Sequence, residues 1–174
     1  MLVLLQQLLD LTVTSVQSGL PCGKVSRIIV NPESFAIALF VITDMQGESY
    51  LLPGDIRFFS EERLIIDAES KLSGSEDLLR HQDLIRVGFS PLGCLVLTES
   101  KKRLGRVTNF SVDADNWHVA KIYVTAGIFD NPLQQEKLLD RRDIMNVDKK
   151  KIVVRDLHNR VQTPLTIPLP GPSA

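Results

Sequence analysis

Only two of the 174 residues are cysteine, Cys22 and Cys94, and neither stands in a C-x-x-C pair or beside a histidine. A disulfide framework or thiolate metal site is therefore not expected, and both thiols are read as small apolar core residues. The three histidines, His81, His118 and His158, share no local motif with a nucleophile or a carboxylate. General-base catalysis needs such a partner within hydrogen-bond reach, so no catalytic site, metal or cofactor is expected. The nearest approach to a phosphate loop is Pro21-Cys22-Gly23-Lys24-Val25. Gly19 stands one residue too close, and Val25 replaces the hydroxyl residue that would meet Mg²⁺. Asp113 and Asp115 lack the Gly and terminal Glu of a calcium loop and read as turn-stabilising side chains. No eighteen apolar residues run together, so no integral membrane segment is expected. Met1–Leu5 is apolar but is interrupted by Gln6, Gln7 and Asp10, without a basic flank or cleavage site. It does not read as a signal peptide, and a cytoplasmic setting is expected.

What is present is an ordinary globular composition, 44% hydrophobic and 24% charged. The net charge of −1 hides an uneven split. Residues 1–74 hold five Lys/Arg and nine Asp/Glu, whereas residues 75–174 hold fifteen and twelve. Such asymmetry can bias one surface toward an anionic partner.

Residues 2–9 suit a short helix, with leucines at 2, 4, 5, 8 and 9. Thr12–Val16 is strand-like, Gly23 opens a second strand through Val30, and Asn31-Pro32-Glu33-Ser34 is a turn. Residues 35–42 are apolar without a break, which fits a strand covered on both faces. Tyr50–Leu52 continues as a strand, Asp55–Phe59 reads as a helical turn or bend, and Arg63–Asp67 closes the unit. Ser75 to Arg86 reads as a linker helix with an apolar side of Leu78, Leu79, Leu84 and Ile85.

The same order then recurs. At a spacing of 82 residues, Gly23-Lys24-Val25 falls on Gly105-Arg106-Val107, Val30 on Val112, and Phe35 on Trp117. Ala38, Phe40 and Ile42 fall on Ala120, Ile122 and Val124. An insertion within 125–137 widens the spacing to 88, where Leu64-Ile65-Ile66 falls on Ile152-Val153-Val154. So many ordered matches predict a duplication. In each copy the Gly follows a turn and starts a strand, where a positive φ or a bulge suits Gly best.

This order of elements resembles the PRC-barrel family, over roughly residues 8–70 and 91–157. The fold is known from the photosynthetic reaction-centre H subunit and from the C-terminal half of the ribosome maturation factor RimM. The resemblance implies a mainly β protein of two small PRC-like β-barrels in tandem, with short helices and a Pro-rich tail. The expected divisions are 1–70 for the first repeat, 71–90 for the linker, 91–157 for the second repeat and 158–174 for the tail. The tail holds Pro164, Pro168, Pro170 and Pro172, and its Leu165, Ile167 and Leu169 are candidates to dock in a groove. The family implies docking surfaces for protein or ribonucleoprotein assembly, so a non-enzymatic adaptor is expected.

Two candidate surfaces follow. In the third strand, Ala36, Ala38, Phe40 and Ile42 read as the barrel interior, leaving Ile37, Leu39 and Val41 as an outer stripe that must be covered. It is a candidate partner surface, to be covered by the other repeat, the linker helix or a second subunit in a homo-oligomer. The alternative function, RNA or ribosome contact, rests on Lys101, Lys102, Arg103, Arg141, Arg142, Lys149, Lys150 and Lys151 at the tips of the second repeat. Asp140, Asp143 and Asp148 interleave with them, and charged tips are also ordinary solvated turns.

Overall fold

The computed structural model describes residues 1–126 and 136–156. The chain is mainly β. Residues Leu2–Leu4 form β1 and Leu5–Leu8 a single helical turn, α1. The first half continues with β2 (Thr12–Ser15), β3 (Pro21–Asn31), β4 (Ala36–Thr43), β5 (Glu48–Leu51), β6 (Ile56–Phe59) and β7 (Arg63–Ile66). After the linker with α2 (Gln82–Val87) come β8 (Leu95–Thr98), β9 (Arg103–Asp113), β10 (His118–Thr125), β11 (Lys137–Asp140), β12 (Ile144–Asp148) and β13 (Lys151–Val154). Asp55 ends a one-turn 3-10 segment, and 56–59, expected as a bend, is extended and pairs with β7.

All described strands join one open sheet, and its two halves have the same order: β6-β7-β2-β3-β4 with β5 on β4, and β12-β13-β8-β9-β10 with β11 on β10. Each half also contains one parallel pair, β2 with β7 and β8 with β13. Small irregularities recur as well. Ser26 and Thr108 are bulged out of β3 and β9, and each hydroxyl donates across to the facing strand's carbonyl, Val41 O at 3.2 Å and Tyr123 O at 3.3 Å. Gly23 and Gly105 both adopt φ near +140° (136° and 140°). A Cβ on Gly23 would meet Ile42 Cγ2 at 2.8 Å, and one on Gly105 would meet Thr125 O at 2.1 Å. Glycine is required at both places by conformation and by space.

The halves meet at β4 and β10, where Ala36 pairs with its own equivalent, His118. Ile37 N donates to Trp117 O (2.8 Å) and Val119 N to Phe35 O (2.9 Å). These bonds are reciprocal between equivalent residues, as a local two-fold axis produces. Phe35 and Trp117 share a positive φ, 56° and 58°. Trp117 leaves its own half and sits edge-on to Phe40 and Phe59 of the first, with ring centroids at 5.1 and 5.8 Å. The main core therefore runs through both halves as one cluster.

The segments that precede each half are exchanged too. The expected helix over 2–9 is instead β1 followed by α1, because Val3 pairs with Val112 on β9 of the second half. On the other side Val30 N of β3 donates to Phe89 O, just ahead of β8. Each lead-in thus lies across the opposite half.

Candidate functional site: the exposed surfaces

The inward face of the third strand differs from the sequence expectation. Ala38 and Ala120 are bulged, since Val30↔Ile37 is followed by Ile29↔Leu39, and Val112↔Val119 by Ser111↔Lys121. One extra residue reverses the alternation. Ile37 and Val119 therefore belong to the main core beside Phe40, Ile42, Ile122 and Val124, while Ala36 and Ala38 do not.

Leu39 and Val41 do lie on the outer face, but they are fully buried. They form a second cluster with Ile29 and Tyr50, closed by Leu78 and by Leu84 and Ile85 of the linker. Ile37, Leu39 and Val41 are thus not a partner surface. The chain's own linker covers the outer pair, and the bulge takes Ile37 inside. The linker is two 3-10 turns followed by α2, not one helix over 75–86, and it ends at Gly88 with φ 56°. Leu79, expected on the apolar side, is 75% exposed.

The basic residues do not form one patch. β8 and β13 run parallel, so Lys101, Lys102 and Arg103 follow the far end of β8, where Glu99 N bonds Val154 O. Lys149 and Lys150 precede β13 and Lys151 opens it at the opposite end, where Leu95 N bonds Lys150 O. About 10 Å of strand separates them. Arg141 is half-buried and donates to Ser34 O at 2.6 Å, tying the second half to the first half's turn. Arg142 is exposed, 3.7 Å from Asp140 Oδ1.

Sequence reasoning missed an apolar end on the first half. Val16, Leu20 and Met45 are 54%, 61% and 105% exposed. The matching hydrogen bonds, Ser15 N→Leu20 O and Thr98 N→Lys102 O, align Leu20 with Lys102. Val16 N→Ile66 O and Glu99 N→Val154 O align Val16 with Glu99. A groove of about 400 Å³ beside Met45 is lined by Pro21, Cys22, Leu72 and the carboxylates Asp44 and Glu69. The signal lay in Leu20 just before Pro21, which the spacing of 82 residues places on Lys102.

Among the described residues, Cys22, Cys94, Asp113 and His118 are held in structural contacts. The Cys22 and Cys94 thiols are buried, donate to Leu20 O and Ser90 O at 3.6 Å, and have their pKa values raised by desolvation. Asp113 Oδ1 accepts from Asp115 N and from the Met1 ammonium, which holds its carboxyl below the usual range. His118 Nδ1 lies 3.0 Å from Asn116 O, within its own turn. His81 lines a shallow groove with Asn31 and Leu84. His158 and the tail's Leu165, Ile167 and Leu169 lie outside the described residues. Among the described residues no group of three His, Cys, Asp or Glu is placed to hold a metal ion, and no helix is long and apolar enough to cross a membrane. No family model matches the chain, and none of the curated proteins matches it.

Proposed function

We propose that the chain is a non-enzymatic adaptor built on two PRC-barrel-like modules, docking protein partners on the surfaces where the modules differ. The observation that carries this is the apolar hairpin end of the first half. Val16 and Leu20 of the β2–β3 hairpin and Met45 of the β4–β5 turn stand in solvent there, while the β8–β9 hairpin, equivalent to β2–β3, presents Glu99 and Lys102. Interior positions match in kind between the halves, as Gly23 with Gly105 and Val30 with Val112 do. A scaffold whose inside repeats and whose outside diverges suits binding by surface.

Tagged full-length protein carrying Leu20→Asp and Met45→Asp tests this by affinity capture from extract. The expected result is protein capture that survives nuclease and is lost in the double variant. A second reading, an RNA- or ribosome-associated assembly factor, is favoured by the exposed Lys101, Lys102 and Arg103, and Lys149, Lys150 and Lys151. Capture abolished by nuclease and falling steeply with salt would replace the first reading with the second.

A further inference from the structure

The two outer faces of the sheet are treated differently. In the first half, Ile29, Leu39, Val41 and Tyr50 lie beneath Leu78, Leu84 and Ile85 of the linker. By register, the equivalent face of the second half carries Ser111, Lys121, Tyr123 and Leu138, extended by Leu4 of β1. Leu4 pairs with Ser111, Ser111 with Lys121, and Tyr123 with Leu138, so these residues share one surface. Phe110 and Val112, on either side of Ser111, point to the core. Leu138 is 46% exposed, and Lys121 and Tyr123 are half-exposed.

Two polar groups on this face have no partner among the described residues. Ser111 is 3% exposed, yet its hydroxyl has no hydrogen bond among the described residues. Lys121 makes no ion pair among the described residues, although Asp140 faces it in register. That carboxylate instead caps its own turn by accepting from Arg142 N at 3.0 Å.

We propose that this face is a docking site for a short helical segment of a partner protein, carrying Leu or Ile side chains and a carboxylate. The first half supplies the template, because the same sheet position there already holds a short helical segment with Leu and Ile pointing down. Lys121 supplies the complementary charge for a carboxylate. The site lies on the other half from the apolar hairpin end and is independent of it.

The test is selection of displayed random 16-residue segments on the full-length chain, followed by titration of the enriched peptides. Enriched segments should carry Leu or Ile three or four residues apart with Asp or Glu among them. Leu138→Asp and Lys121→Glu should each weaken binding about tenfold or more, and Glu61→Gln, at an exposed turn of the first half, should leave it unchanged. Leu138→Ser serves as the milder variant, and urea midpoints establish that each variant is folded. Enriched peptides insensitive to both Leu138→Asp and Lys121→Glu overturn the proposal. So does a dimer of the chain that Leu138→Asp dissociates, since a second copy then occupies the face. Binding that appears only when residues 157–174 are removed overturns it as well, since the chain then covers its own face. If peptides fail here while nuclease-resistant capture through Leu20 and Met45 persists, the adaptor reading stands without this site.

Discussion

Leu39 and Lys121 hold the same place in β4 and β10, yet one is fully buried and the other reaches solvent. The backbone around them is the same: each follows a bulged alanine and each pairs with the equivalent residue of the preceding strand. The difference comes from what lies above. In the first half the linker closes over Leu39, whereas Lys121 stands where no such cover is described. One scaffold thus tolerates either an apolar or a charged residue on this face, because the fold is held by the opposite face and by the exchanged Trp117. The face that repeats holds the molecule together, and the face that diverges does not need to.

The largest expected effect concerns the two glycines. Gly105→Ala should destabilise by about 4 kcal/mol or fail to fold, since its Cβ would lie against backbone and its φ suits only Gly. Gly23→Ala should cost less, because its closest approaches, 2.8 and 2.9 Å, are longer than the 2.1 Å at Gly105. Urea midpoints compare the two, and equal losses would show that steric crowding at Thr125 contributes nothing. Leu39→Lys comes next. An ammonium under the linker should cost about 3 kcal/mol, while the reverse change, Lys121→Leu, should stay within about 0.5 kcal/mol. Comparable effects from both would erase the contrast between the two faces.

Trp117→Ala should cost about 3 kcal/mol by opening a gap beside Phe40 and Phe59. A double-mutant cycle with Phe40→Leu measures their coupling, and additivity would place the two rings in separate environments. The smallest effect is at Asp113. Its pKa is lowered in the folded chain by the backbone bond from Asp115 and then by the Met1 ammonium. Its contribution is therefore present above the unfolded value of about 4 and lost as pH falls through the folded value. Asp113→Asn should flatten the acid side of the profile of melting temperature against pH and leave the neutral side nearly level.

Much of the scaffold was legible because its determinants are local. Gly23 and Gly105, Pro32 in its turn and the runs 35–42 and 63–67 state their own conformations. The linker was among the three expected covers for the outer stripe, and its Leu78, Leu84 and Ile85 provide it. Less visible were features set by partners distant in sequence. The extra residue at Ala38 leaves no mark on composition, because alanine fits either face, yet it moves Ile37 into the core. β1 looks like the start of a helix until Val112, more than a hundred residues on, offers it an edge. Lysine clusters at two hairpin tips look adjacent on paper, and the parallel pairing of β8 with β13 puts them at opposite ends. The exposed Leu20 and Met45 were passed over because single apolar residues in turns carry no periodicity.

The central claim is that the two halves are plugged into each other and form one cooperative unit. Trp117 is the only tryptophan, it belongs to the second half, and it is packed among rings of the first. Urea unfolding of the full chain, followed by tryptophan fluorescence and by far-UV circular dichroism, tests the claim most directly. The account predicts one transition with the same midpoint by both probes. Loss of the Trp117 signal at lower urea, with the sheet signal retained, would mean that the halves fold separately and would contradict it.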